Sequence, residues 1–228
     1  AAVIVEPLQR VVAPEQGFLE GLRAECDRHG VLLIFDEIVT GFRLEYGGAQ
    51  ERWGAIPDIC TLGKIIGGGF PVAALGASTE LMAHFDKAAV GAERWLMQLG
   101  TLSGFPVGAV AGLKTMEILR RDGQYMRLKA NGKRLWDMQA EALKAAGLTH
   151  RIVGDVTLFD VVFTHSEVRD YRSHQTGDAL RAATYNRVLR ENGVFKLSGK
   201  FYPSLALTDA DFEVTQAAVD KAVAAIAG

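Results

Sequence analysis

The chain contains a run of five apolar residues at 31–35, VLLIF, which is typical of a strand covered on both faces. A first apolar and β-branched run lies at residues 1–5. Between the two runs, residues 14–29 predict a helix, because Pro14 suits a first helical turn and Gly30 suits the position just after a last turn. A strand, a helix and a strand in this order imply a right-handed crossover and a largely parallel sheet.

Further strands are predicted at 59–62 and 72–76, and the pattern then changes along the chain. The later predicted elements are helices at 106–121 and 125–146, a strand at 158–163, a helix at 177–191, one or two strands within 195–207 and a closing helix at 209–227. We therefore predict an α/β domain at 1–125, with a mostly parallel sheet and helices on both faces. A smaller α+β C-terminal domain follows at 126–228.

The charge balance excludes several classes of partner. Lysine and arginine number 25 against 27 acidic residues, so no basic face is required, and we expect no nucleic acid and no membrane as a partner. The apolar runs are too short to cross a bilayer. Two cysteines without CxxC spacing predict reduced thiols in a cytoplasmic protein. The five histidines show no metal-ligand spacing, so we predict no metal site.

The first residues already resemble a buried strand that ends at Pro7. A natural protein rarely opens in the middle of a sheet, so we expect this chain to be the C-terminal part of a longer protein. We also expect it to be active only together with the missing N-terminal part.

Two residues with reactive side chains follow predicted strands. Asp36 lies at the end of the run at 31–35, and ligands of open α/β sheets bind beyond such strand ends. The same position also suits a helix cap. Its neighbour Glu37 is expected to point the other way and to brace the loop. Lys64 lies between an apolar strand and the glycine run at 67–69, which predicts a buried lysine whose amine can act as a nucleophile.

A third feature is a hydroxyl-rich loop, GTLSGFP at 100–106, directly before a predicted helix. Backbone N–H groups and hydroxyls at a helix start can bind a phosphate, although an ordinary capping loop has the same composition. Together, an acid, a buried lysine and an anion site are what pyridoxal phosphate (PLP) needs. The lysine binds its aldehyde, the acid keeps its ring nitrogen protonated, and the loop holds its phosphate.

The strings VIVEPLQ, GVLLIFDEIVTGF, PDICTLGKIIGGGFPVAALG and GTLSGFP resemble the class III (fold-type I) PLP-dependent aminotransferases. GTLSGFP and the valine in DEIVTGF place the resemblance in the glutamate-1-semialdehyde aminomutase-like branch. The resemblance implies a PLP imine at Lys64, Asp36 on the pyridine nitrogen, Val39 against the cofactor ring and Thr101 on the phosphate. In these homodimers the threonine serves the neighbouring subunit, so the cofactor site is shared.

The resemblance implies an enzyme that moves an amino group between an amino acid or amine and an oxo acid. Two alternatives stay open: an aminomutase, which shifts an amino group within one molecule, and a non-catalytic relic of the fold. The segment FKLSGKFY at 195–202 departs from the aminomutase pattern, and no arginine for a substrate carboxylate is recognisable. Lys196, Lys200 or an upstream residue could bind that carboxylate, and the substrate is left open.

Overall fold

Four strands form a sheet in the first part of the chain. The computed structural model describes residues 1–228. The strands are β1 (Ala2–Val5), β2 (Leu32–Asp36), β3 (Ile59–Leu62) and β4 (Ala74–Ala77), and they lie side by side in this order. β1, β2 and β3 are parallel, and β4 is antiparallel to β3. The predicted α/β class with a mostly parallel sheet is confirmed.

The chain divides into two units, which we describe separately. The first unit consists of Ala1–Pro7 and Gln16–Arg121, and the second of Leu8–Glu15 and Asp122–Gly228. The boundary between structural domains at 125/126 stays a prediction.

Helix α1 (Phe18–His29) connects β1 to β2 and carries most of the apolar side chains that cover the sheet in the first unit. The predicted start of this helix at Pro14 is wrong. Gly17 has a φ of 82°, and this left-handed conformation separates Pro14 from the helix that begins one residue later. The expected end is correct, because Gly30 adopts the left-handed conformation that closes a helix.

Short helices fill the connections between the longer elements within residues 1–121. They are α2 (Gly48–Trp53), α3 (Thr79–Met82), α4 (Lys87–Val90) and three-residue or four-residue 3-10 helices at Gln9–Val11, Lys64–Gly67 and Ala83–Phe85, of which the first belongs to the second unit. Helix α5 (Pro106–Leu119) ends the first unit, and Pro106 occupies its first turn as predicted. No helix of the structure combines the length and the apolar character needed to cross a membrane.

The second unit packs helices against a two-stranded antiparallel ribbon. Its elements are α6 (Gln124–Ala145), β5 (Arg151–Asp155), β6 (Leu158–Val162), α7 (Tyr171–His174), α8 (Ala179–Glu191) and α9 (Asp209–Ala227). The predicted strands within 195–207 are wrong, because this segment forms only isolated bridges, Phe159 to Phe201 and Leu197 to Lys200. Pro203 contributes to this difference, because a proline has no N–H group to donate to a strand ladder.

The core of the second unit also holds polar groups. Tyr185 donates a hydrogen bond to the side-chain oxygen of Gln139, and both residues are buried. Lys196 Nζ lies 2.9 Å from Asp160 Oδ1, with both side chains almost fully buried. Phe201 stacks on Phe159 of β6 with 4.9 Å between ring centroids. This contact attaches the segment that contains Lys196 and Phe201 to the two-stranded ribbon.

Candidate functional site

The carboxyl ends of β1, β2 and β3 lie at one edge of the sheet, because the three strands are parallel. Asp36 is the last residue of β2, and Lys64 follows the end of β3 after Gly63. The register pairs Asp36 with Thr61, three residues before Lys64. The two residues that the sequence singles out for chemistry therefore occupy the same edge of the sheet, where α/β proteins bind their ligands.

Asp36 is half-buried, and only one of its carboxylate oxygens accepts hydrogen bonds within the chain. Oδ1 accepts hydrogen bonds from the Ile38 backbone N–H at 3.1 Å and from the Thr61 hydroxyl at 3.2 Å. Oδ2 accepts none within the chain. A half-buried carboxylate oxygen without a donor is available for a ligand that carries an N–H or O–H group.

Lys64 is exposed, so the prediction of a buried lysine is wrong. It begins a 3-10 helix beyond the end of β3, and neighbouring strands do not cover a side chain at that position. Lys64 Nζ makes no hydrogen bond and no ion pair within the chain. The Lys64 backbone has a φ of 48°, a left-handed conformation that is uncommon outside glycine and is concentrated at functional sites.

Helix α5 supports the turn that carries Lys64. Gly68 has a φ of 58°, and a Cβ atom there would lie 2.6 Å from the Ala111 carbonyl oxygen and 2.7 Å from Thr115 Oγ1. A Cβ atom at Gly112 of α5 would come even closer to the Ile66 carbonyl oxygen. These positions explain part of the glycine run: a side chain at Gly68 would push α5 away from the turn. Nothing in the sequence pattern indicated that α5 was the partner of this turn.

Glu37 is a structural carboxylate, as predicted. Its side chain is fully buried, and Oε2 accepts hydrogen bonds from the Thr40 hydroxyl at 2.9 Å and the Ala49 N–H at 2.6 Å. Oε1 accepts from Gln50 Nε2 at 3.0 Å and from the Gln50 N–H at 3.4 Å. Glu37 thus ties the turn after β2 to the start of α2, and no oxygen is left for a ligand.

Cys60 lies on β3 and is a free thiol, as is Cys26. Burial, together with the negative charge of Glu37, raises the pKa of the Cys60 thiol to about 11, although a hydrogen bond with Gln50 acts in the opposite direction. The thiol therefore stays protonated at neutral pH and is a poor nucleophile.

Val39 and Thr101 stay predictions as cofactor-binding residues. Val39 is half-buried in the turn after Asp36. Thr101 is exposed in the turn before α5, where the Ser103 N–H donates to the Gly100 carbonyl at 2.9 Å. The Thr101 hydroxyl has no hydrogen-bond partner within the chain, and no hydrogen bond links it to Asp36 or Lys64.

Of the two lysines proposed for a substrate carboxylate, Lys196 is already engaged. Besides Asp160, its Nζ donates to Asn186 Oδ1 at 2.9 Å and to the Leu197 carbonyl at 3.1 Å. Lys196 and Lys200 both line a cavity of about 410 Å³ in the second unit, where Lys200 is half-buried and forms no ion pair. No group of three or more His, Cys, Asp or Glu side chains is placed to hold a metal ion.

Comparison with known proteins finds a matching family model and sequence relatives for this chain. A family model described as aminotransferase class-III matches residues 1–225. The chain is 42% identical over 221 residues to glutamate-1-semialdehyde 2,1-aminomutase 2 of Brevibacillus brevis, covering 94% of this chain and 50% of that protein. It is also 42% identical over 215 residues to glutamate-1-semialdehyde 2,1-aminomutase of Desulfosudis oleivorans, covering 92% of this chain and 49% of that protein.

Among solved structures, an omega-transaminase from Sphaerobacter thermophilus superposes with a TM-score of 0.90 and 32% identity. The match covers 100% of this chain and 52% of that structure. The chain thus spans about half the length of the curated relatives it matches.

Proposed function

Because the chain belongs to the class III aminotransferase family, we propose that the full-length protein is an aminotransferase that moves an amino group between an amino acid or amine and an oxo acid. The cofactor of this family is pyridoxal phosphate. When bound, PLP supplies an aldehyde that takes up the amino group and a protonated ring that accepts electrons.

The observation that carries the proposal is the pair of unpartnered groups at one sheet edge. Asp36 Oδ2 has no donor, and Lys64 Nζ has no hydrogen-bond or ion-pair partner, although the two residues follow neighbouring parallel strands. This donor set fits the cofactor, since PLP needs one carboxylate for its ring nitrogen and one free amine. The left-handed conformation of Lys64 supports a functional role, because strain of this kind persists where the surroundings hold it.

Each residue has a defined task in this proposal. Lys64 would attach the cofactor covalently, and after its release Nζ would move a proton from the substrate carbon to the aldehyde-derived carbon of the cofactor, first as general base and then as general acid. Asp36 holds the proton of the ring nitrogen through Oδ2. Val39, in the turn that follows Asp36, packs against the cofactor ring.

Thr101 completes the site across a homodimer in this proposal. Thr101 is exposed, its hydroxyl has no hydrogen-bond partner, and it lies in the turn that precedes α5. On α5, the side chains of Val107, Val110 and Leu113 are 53%, 67% and 71% exposed. An apolar helix face of this kind is typical of a surface that another protein surface covers. Two-fold symmetry would then give two identical sites, each with a threonine from the other subunit. The free thiols support a cytoplasmic location.

An aminomutase is the second candidate, because the two curated relatives at 42% identity carry that name. The structural relative at 32% identity is instead an omega-transaminase. Both reactions use the same lysine and the same acid. A screen of amino donors and oxo-acid acceptors against the full-length enzyme distinguishes them, because an aminomutase converts one substrate without a separate acceptor.

Borohydride trapping tests the proposal and separates an enzyme from a non-catalytic relic. The full-length protein is treated with borohydride in the presence of PLP, digested and sequenced by mass spectrometry. A pyridoxyl group on Lys64, with loss of the visible absorption band, is the expected result. Modification at another lysine, or no modification, would refute the assignment of Lys64.

A further inference from the structure

We propose that Thr61 is a positioning residue for Asp36. Its hydroxyl holds Asp36 Oδ1, so that Oδ2 is the oxygen presented to the ring nitrogen of the cofactor. This inference rests on the proposed function, in which Asp36 holds the proton of that nitrogen, and it adds a residue that acts through Asp36 without touching the substrate.

The contacts of Asp36 are unequal between its two oxygens. Thr61 lies opposite Asp36 in the parallel β2–β3 register, and its Oγ1 donates to Oδ1 at 3.2 Å. The Ile38 N–H donates to the same oxygen at 3.1 Å. Two donors from different elements, one on β3 and one in the turn after β2, fix the carboxylate plane, whereas a single donor would let it rotate. These two hydrogen bonds leave Oδ2 as the free oxygen.

The same hydrogen bonds also influence where the shared proton resides. Hydrogen bonds donated to a carboxylate stabilise its charged form. With both donors in place, the negative charge that holds the proton on the ring nitrogen is stabilised, and the protonated ring is the form that withdraws electrons. Without the Thr61 hydroxyl, the carboxylate holds its negative charge less well, and the proton shifts toward Asp36.

Thr61 can be changed with little disturbance of the strand. It is half-buried near the end of β3, and Val has the same branched shape and suits a strand equally well. Thr61→Val therefore removes the hydroxyl and little else, while Thr61→Ser keeps a hydroxyl. Thr40→Val is a matched control, because the Thr40 hydroxyl donates to Glu37 in the turn that follows Asp36.

The experiment uses the full-length enzyme loaded with PLP that carries ¹⁵N in its ring. The ¹⁵N chemical shift reports whether the ring nitrogen is protonated, and it is measured beside kcat and the dissociation constant of PLP. A hydrogen bond to a charged group corresponds to roughly a 10- to 100-fold change in an equilibrium constant. We expect Thr61→Val to lower kcat by about that factor and to move the ¹⁵N signal toward the unprotonated ring.

Thr61→Ser should restore the ¹⁵N signal, and Thr40→Val should lower the melting temperature without moving that signal. An unchanged signal in Thr61→Val would overturn the inference. So would a Thr61→Ser enzyme that behaves like Thr61→Val, or an equal shift in Thr40→Val. A parent enzyme that binds no PLP at Lys64 would instead refute the proposed function itself, and with it the role of Thr61.

Discussion

Replacing Asp36 with Asn removes one negative charge at the carboxyl end of β2 and keeps the size of the side chain. The Oδ1 atom of the introduced asparagine can still accept from the Ile38 N–H and the Thr61 hydroxyl, so the turn should keep its conformation. The amide nitrogen would then stand where Oδ2 stood. Because an N–H group cannot accept the ring proton, the variant favours an unprotonated ring.

The magnitude follows from the lost charge pair. Two unit charges about 4 Å apart interact by roughly 4 kcal/mol at an effective dielectric of about 20, a value suited to a half-buried group such as Asp36. Each 1.36 kcal/mol is about one decade in rate. We therefore expect kcat to fall by about two to three decades. The melting temperature should change by less than about 4 °C, which is the shift that about 1 kcal/mol produces in a protein of this size.

The assay compares Asp36→Asn with Glu37→Gln in steady-state kinetics, which give kcat, and in thermal unfolding. Glu37 is the neighbouring acid, but it is fully buried and its oxygens are occupied by donors. Glu37→Gln should lower the free energy of unfolding by about 1–3 kcal/mol, because the new amide N–H group faces other donors. An Asp36→Asn enzyme within about threefold of the parent rate would refute the reasoning and reduce Asp36 to a cap of the turn.

Other expected outcomes concern the lysine, the subunit interface and the second unit. Lys64→Ala should abolish turnover yet still bind PLP without a covalent bond, which absorbance and dialysis can check; undiminished transamination would contradict the assignment. Thr101→Ala should weaken PLP retention roughly 10- to 100-fold, so at a PLP concentration that loads only the parent enzyme this variant should be inactive; subunit exchange with inactive Lys64→Ala should then restore activity, because one site of each heterodimer is intact. No recovery would mean that Thr101 serves its own subunit. Asp160→Asn should destabilise the fold by about 3–5 kcal/mol in denaturant unfolding, because it leaves the buried Lys196 without its counter-charge.

The sequence predicted the elements whose pattern is local. The apolar run of β2 and the spacing of α9 need no information from distant residues, and both elements lie where they were expected. The sequence did not predict β5, because Arg151–Asp155 has polar residues at both ends, contains Gly154 and depends on pairing with β6 for its identity as a strand. The local sequence pattern alone therefore could not predict β5.

In the candidate site as well, the sequence indicated some features, whereas others depend on contacts between distant residues. The sequence singled out Asp36 by the general rule that ligands bind beyond the carboxyl ends of parallel strands, and Lys64 by its place between a strand and a glycine run. The exposure of Lys64 could not be derived, because it depends on what covers the turn after β3. The hydrogen bond from Thr61 to Asp36 depends on the register between β2 and β3, which the sequence does not specify. A polar residue near the end of an otherwise apolar strand was the one available signal.

Two adjacent carboxylates at the end of β2 differ in chemistry because a strand turns successive side chains to opposite faces. Glu37 points to donors from α2 and its own turn, which occupy both oxygens, whereas Asp36 points to Thr61 and keeps one oxygen free. A slip of β2 by one residue would exchange the two faces, so the acid with a free oxygen would no longer lie opposite Thr61. The β2–β3 register is thus a chemical as well as a structural constraint, and substitutions that loosen it should reduce activity before they unfold the sheet.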